Sequence, residues 1–377
     1  MEGYVTLRSL EQALGAAVEL LVLLDVFLMV LYAREGVGLF GDNLMRLTWR
    51  FFGWASRPFG HRRGVILSFC GPVILVLLVL VWAFGLTLGT ALIIHPNLGT
   101  AVSASSGPTP TDFVTALYAG GSSLALVGAS DFTPQTGAFR MVYLFNSLVG
   151  ASVISLTLTY LMQVYTALQG RNTLGIKVYF LTGETGDAAE LIAALGPRGQ
   201  FDAGYSDFAD AAVEMTQVKE SHHFYPVLFY FRFREPYYSV SYTALVSLDT
   251  VTLIKSALDD QQFAWLKESA AVRQLWRASI RLVTTLEDAF LPNGVPDSQP
   301  QPDVEAAARW RRRYFEGLRR LQKAGIDTVA DEQAGADVYV SLRARWDHLI
   351  TTLAPTMAYS MEEIDPASSD PDDTNKQ

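Results

Sequence analysis

Lysine is missing from the first 169 residues, and cysteine occurs once in 377. A lone thiol, Cys70, excludes a disulfide within the chain, and its place in an apolar run leaves the redox compartment open. Residues 64–94, 31 in all, hold no ionisable side chain other than Cys70, and residues 95–139 hold no lysine or arginine. The start of the chain lacks a basic stretch, and its first apolar run lacks a small-residue cleavage site, so no cleavable signal peptide is expected. Gly183-Glu184-Thr185-Gly186-Asp187 lacks the Gly-x-Gly-x-x-Gly that binds nucleotide phosphates between a strand and a helix, and reads as a turn with a helix cap. His222 and His223 are adjacent, a spacing that does not place two ligands on one metal. No catalytic residue, metal or cofactor is expected, and the chain does not read as an enzyme.

Half of the residues are hydrophobic and the mean hydropathy is positive, high for a soluble protein and low for one that is all membrane. Two regions explain the average. Residues 1–169 balance 8 acids against 8 arginines, while the remaining 208 carry 30 acids and 21 bases and so the whole net charge of −9. A neutral membrane half and an acidic soluble half fit those counts, and the negative soluble half argues against nucleic acid as a partner.

Leu10 to Tyr32 is long enough to cross a bilayer, at roughly 20 residues per crossing. Glu19 and Asp25 lie inside it, each costing about 2.5–3.5 kcal/mol at mid-bilayer. They are six residues apart, about 240° round a helix, so they do not form one pair on one face. Contacts to another helix or to headgroups are expected of them, with a part in conduction or sensing as the other reading. From Glu35 to Arg63, Phe40, Leu44, Leu47, Phe51 and Trp54 recur at three- and four-residue spacing, with Arg46 and Arg50 elsewhere on the wheel. That pattern reads as an amphipathic helix in the headgroup region. Residues 64–94 are the strongest span, and 141–168 form the third. The arginine-rich stretch before Gly64 against the base-free 95–137 predicts that residues 34–63 face the cytoplasm. The N-terminus is then outside and the acidic domain inside, in a multi-pass protein of the cell inner membrane.

Between the second and third spans runs Thr111–Pro134, T-D-F-V-T-A-L-Y-A-G-G-S-S-L-A-L-V-G-A-S-D-F-T-P. Its first half, Asp112 to Ala125, starts at a capping residue and is too short to span, and irregular backbone is expected to follow it. Non-helical backbone at membrane depth is tolerated only beside protein or a water-filled cavity. Leu126-Val127-Gly128-Ala129-Ser130-Asp131, with Pro134 three residues later and Gly150 nineteen after Asp131, resembles the filter, proline and hinge glycine of the tetrameric potassium channel superfamily. The resemblance implies an outer helix (64–94), a pore loop (111–134), an inner helix (141–168) and a homotetramer around an ion pathway. The filter departs from T-V-G-Y-G-D at Leu126, Ala129 and Ser130, which removes the threonine hydroxyl, the tyrosine ring and a glycine. With fewer constraints on the carbonyls of Leu126, Val127, Gly128 and Ala129, potassium selectivity is expected to be poor. The acids Asp112 and Asp131 at a base-free mouth favour cations. Asn146, Gly150, Val153 and Thr157 share one face of the inner helix and are its expected pore lining or gate; helix packing is the other reading of that face.

From Gly170 onward no segment reads as a span. Helices are expected over Ala188–Leu195, Gln261–Phe290, Val304–Lys323 and Asp337–Leu353, and a buried or membrane-apposed stretch over Phe224–Tyr242. A six-arginine cluster, Arg309, Arg311, Arg312, Arg313, Arg319 and Arg320, has the acidic tail, a neighbouring subunit or an anionic ligand as possible partners. The expected organisation is a membrane segment at 1–63, a pore module at 64–169, a cytoplasmic regulatory domain at 170–359 and a disordered acidic tail at 360–377. The expected fold is an all-α membrane protein: a potassium-channel-like pore module with an extra N-terminal membrane helix and a mainly helical cytoplasmic domain. Its expected function is passive conduction of inorganic ions with weak cation selectivity, gated by the cytoplasmic domain and any ligand that domain binds. A non-conducting membrane sensor or scaffold and an anion-permeable channel on the same fold stay open.

Overall fold

The computed structural model of the chain describes residues 2–32, 38–125, 131–291 and 302–365. Its helices are α1 (Glu2–Val26), α2 (Gly41–Ala55), α3 (Arg63–Ser68), α4 (Cys70–Ile94), α5 (Phe113–Leu124), α6 (Gly137–Leu181), α7 (Ala188–Leu195), α8 (Asp202–Phe224), α9 (Val240–Ala257), α10 (Ala264–Lys267), α11 (Ala270–Phe290), α12 (Val304–Lys323), α13 (Glu332–Arg343), α14 (Asp347–Thr356) and α15 (Met361–Ile364). A π-helical turn, Phe27–Tyr32, continues α1. Three helical stretches are long and apolar enough to cross a membrane: Leu7–Tyr32, Arg63–Asn97 and Gly137–Leu181. The protein is mainly helical, with one correction to an all-α fold. Strands β1 (Val102–Ala104) and β2 (Phe132–Pro134) pair antiparallel, Ser103 opposite Thr133.

The chain divides into two units, Met1–Arg50 with Pro72–Val164, and Phe51–Gly71 with Tyr165–Gln377. In the first, α1 and α4 cross at small residues: a Cβ on Gly15 would lie 2.5 Å from the Gly89 carbonyl oxygen. Close approach of backbones is how membrane helices gain contact where lipid is as apolar as leucine. Glu19 and Asp25 of α1 are buried against α4. Glu19 accepts from the Thr90 hydroxyl, and Asp25 accepts from Trp82 Nε1 at 2.8 Å and from the Phe40 backbone N–H at 2.9 Å. Glu11 contacts His95 Nδ1 at 2.6 Å near the other end. Glu19 and Asp25 thus take separate partners, as their spacing requires.

The second unit is a helical assembly around α9, seventeen of whose eighteen residues are buried. A helix buried on every side needs no apolar stripe, and its Thr250, Thr252 and Ser256 hydroxyls donate to carbonyls four residues back. α8 and α11 run parallel alongside: Phe201 meets Phe263 at one end, and Phe229 stacks on Phe290 at 3.9 Å at the other. Residues 226–231 are buried here, and Arg171 donates to the Leu228 and Phe231 carbonyls at 2.9 and 3.0 Å. The 183–187 segment forms the expected turn, with Asp187 capping α7 and positive φ at Gly183, Glu184 and Gly186. The stretch expected as one helix over Asp337–Leu353 is two, α13 and α14, broken at Arg345–Trp346. The tail was expected to be disordered from Ser360; its first residues instead form α15 with a capping box between Ser360 and Glu363, and residues 366–377 lie outside the described part.

Candidate functional site

Where α4 ends, the chain folds back on itself. His95 packs on Phe113, the first residue of α5, with ring centroids 5.6 Å apart, and Asp112 caps that helix. The cap carboxylate accepts from the Thr115 backbone N–H at 3.0 Å and from the Thr115 hydroxyl at 2.7 Å. These bonds, the side-chain one foremost, hold the exposed Asp112 carboxyl below the usual aspartate range. Eight residues after Asp112, Gly120 lies against α4: a Cβ there would stand 3.0 Å from the Ala91 N and 3.2 Å from the Thr87 carbonyl oxygen. The helix therefore runs back down the last two turns of α4, and its twelve residues cover about 18 Å. Ile94, Leu98, Val102, Ala116, Ala119, Phe132 and Phe139 form the core of this mouth.

The inner end of α5 stops on α6. Ser123 donates to the Gly120 carbonyl at 2.7 Å and accepts from Asn146 Nδ2 at 3.0 Å. One turn on, Gly150 is required: a Cβ would lie 2.0 Å from the Leu124 carbonyl oxygen. By Asp131 the chain is back at the mouth, where the Asp131 carbonyl accepts from the Ser105 N–H at 2.6 Å and β2 pairs with β1. Of the expected filter, Leu126, Val127, Gly128, Ala129 and Ser130 lie outside the described residues, and Asp131 is exposed beside the hairpin.

The expected lining of α6 needs correction. Asn146, Gly150 and Thr157 are buried within the chain, Asn146 on α5, so this face is a helix contact; Val153 is half-buried. The exposed polar residues lie elsewhere. Ser152, Ser155, Thr159 and Gln163 are all exposed within an arc of about 80°, centred about 150° from that contact face. The stripe starts just below the Gly150–Leu124 contact and continues away from the mouth. By contrast, every exposed residue of α1 from Leu10 to Tyr32, and every exposed residue of α4, is apolar or tyrosine. Sequence reasoning chose the other face because Asn, Gly and Thr mark helix contacts as readily as cavities.

Sequence reasoning offered the acidic tail as a partner for the cluster that holds Arg313, but did not find Asp249, Tyr339 or Arg343 at the charged centre of the second unit. Asp249, fully buried on α9, accepts from Tyr339 OH at 2.5 Å, Arg313 Nε at 2.8 Å and Arg343 Nη1 at 3.3 Å. Asp365, just after α15, accepts from the same two arginines. Burial works against the charge on Arg313, but Asp249 and Asp365 outweigh it and raise its pKa. Of the arginine cluster, Arg313 thus binds the root of the acidic tail, Arg320 pairs with Asp187 and Arg311 with Asp337. His222 is fully buried with both ring nitrogens unpartnered, and burial with the nearby Arg171 pushes its pKa down to about 3. Among the described residues no group of three or more His, Cys, Asp or Glu side chains could hold a metal ion.

No family model matches the chain, and no solved structure matches it. It is similar to the uncharacterized membrane protein YdjJ of Bacillus subtilis (strain 168), 21% identical over 333 residues that cover 88% of this chain and 87% of the relative. With three helices of spanning length and a relative of that description along most of its length, the chain is a membrane protein.

Proposed function

We propose that the first unit is a potassium-channel-like pore-loop module, four copies of which surround a pathway for inorganic ions with weak preference for cations. The observation that carries the reading is α5. A twelve-residue helix between two spans starts at the mouth, stops against Gly150 at membrane depth, and is followed by a chain that is back at the mouth six residues after Ala125. A re-entrant segment in a bilayer has to border protein or water. Below it, Ser155, Thr159 and Gln163 of the stripe supply polar side chains that hydrocarbon does not favour and a water-filled pathway does. Exposed Asp112, four times repeated, concentrates cations at the entrance. α6 belongs to both units, which gives the second unit a covalent route for gating.

The test is ion flux through the purified protein in planar bilayers, with reversal potentials under potassium, sodium and chloride gradients. A variant carrying Leu126→Thr, Ala129→Tyr and Ser130→Gly is measured beside it. The reading expects reversal near the cation equilibrium and a gain of potassium preference in the triple variant. Reversal near the chloride potential would replace the cation assignment with an anion pore. Absence of current from folded, tetrameric protein would replace conduction with a sensing or scaffolding role.

A further inference from the structure

We propose that a cleft between α1 and α6 is a phospholipid site, with one acyl chain in the cleft and the anionic headgroup on Arg46 and Arg50 of α2. The cleft has a volume of about 310 Å³, and its walls include Leu23, Phe27 and Leu31 on one side and Leu148, Val153 and Leu156 on the other. Ser152 is the one polar residue among those that line it. Both walls belong to candidate membrane spans. Water in the cleft would find a single hydroxyl where it needs two to four polar partners. Left vacant, the wall would forfeit its dispersion contacts. A hydrocarbon chain meets both conditions.

The headgroup assignment rests on what lies at the Leu31 end. The π-helical turn there leads to α2, whose first residue, Gly41, is pressed on the Met29 side chain. Arg46 and Arg50 are exposed one turn apart on α2, and Leu47, Phe51 and Trp54 of the same helix are exposed as well. Basic and aromatic side chains on one amphipathic helix are the chemistry of an anionic interface. A second copy of the chain fits less well, because residues 1–169 carry no net charge to meet two arginines. Since the far wall is α6 from Phe145 to Leu156, the acyl chain bears on the helix either side of Gly150.

Full-length protein reconstituted in nanodiscs of equal phosphatidylglycerol and phosphatidylcholine, then released into mild detergent, is weighed by native mass spectrometry. One phosphatidylglycerol per chain is expected to stay bound. Leu148→Trp, which fills the cleft, lowers retention about tenfold, and Arg46→Gln with Arg50→Gln removes the preference for phosphatidylglycerol over phosphatidylcholine. Val76→Trp, on the exposed side of α4, changes neither. Equal retention in wild type and Leu148→Trp would overturn the proposal in favour of an ordinary lipid annulus. A disulfide between copies carrying Phe27→Cys would overturn it in favour of a second chain. Should Leu148→Trp not fold, maleimide labelling of Leu23→Cys serves instead: delipidation speeds it if a lipid fills the cleft, and unchanged rates reject the site.

Discussion

Asp25 joins three helices through two hydrogen bonds, to the Trp82 indole and to the backbone N–H of Phe40 at the start of α2. Trp82 is buried, so without an acceptor its N–H loses a partner that water does not replace. Two such bonds are worth about 1–3 kcal/mol each to folding. The cost of placing an acid in hydrocarbon, about 2.5–3.5 kcal/mol, falls on insertion of the separate helix instead. Asp25→Leu is therefore expected to insert more readily and yet to unfold more easily, by about 2–4 kcal/mol. Thermal unfolding in detergent, beside an insertion assay, separates the two effects; an unchanged or higher melting temperature would reject the bonding role. The sequence shows that Glu19 and Asp25 do not form one pair, because six residues leave them on different sides of a helix. It does not show Thr90 and Trp82 as their partners, which come from the register between α1 and α4. Asn146 is the opposite case: its polarity is plain in the sequence, and only the position of Ser123 decides that it faces α5.

α6 carries two polar faces, and the structure separates them by burial. If the exposed stripe borders water, Ser155→Cys and Thr159→Cys react with a charged, membrane-impermeant thiol reagent, whereas Thr157→Cys, on the buried face, reacts slowly. Replacing Cys70 by Ala beforehand removes the one native thiol. Uniform protection of Ser155→Cys and Thr159→Cys would assign the stripe to protein contact or lipid. The buried face makes its own prediction. Gly150→Ala places a methyl on the Leu124 carbonyl, and overpacking of this kind costs about 1–3 kcal/mol. Its melting temperature falls, and a Leu124→Ala change does not rescue it because the clash is with backbone. α5 was legible in advance because its cap, Asp112, and its length are local signals. α8 and α9 were not. α9 is buried all round and has no period to read, and its hydroxyls look like loop residues until carbonyls four back accept from them.

For the whole molecule, the charged centre and two buried titratable groups decide how stability responds to sequence and pH. Asp365→Ala leaves Arg313 and Arg343 to Asp249, with Asp347 on the Arg343 Nε, and breaking a buried pair of this kind costs about 3–5 kcal/mol. Thermal melts of this variant beside a chain ended after Asp365 would show whether the last twelve residues contribute beyond that carboxylate. In this unit the composition predicted a helical, acidic domain, but Asp249 and Asp365 lie 22 to 94 residues from the side chains they accept from, and no local pattern announces them.

Glu287 and His222 give the pH profile its shape. Burial, with Asp288 adding to it, raises Glu287 to about 7 from 4.5, so the folded chain keeps a proton that the unfolded chain gives up above pH 4.5. Its contribution is full below pH 4.5 and is lost as pH rises through 7. His222 has the reverse sign. The folded chain holds it neutral down to about pH 3, while the unfolded chain takes up a proton below 6.5, so stability is lost as pH falls from 6.5 toward 3. Between pH 4.5 and 6.5 each state binds one proton on this pair, and by linkage the slope from the two is zero. The contributions of Glu287 and His222 are thus expected to cancel over that window and to fall on both sides of it. Glu287→Gln removes the alkaline fall and gains about 1–3 kcal/mol over the wild type at pH 8 with no gain at pH 4.5. A variant whose advantage is the same at both pH values would show that the Glu287 carboxyl does not hold its proton in the folded protein. His222→Phe removes the term that offsets Glu287, so stability relative to the wild type falls as pH rises from 4.5 to 6.5.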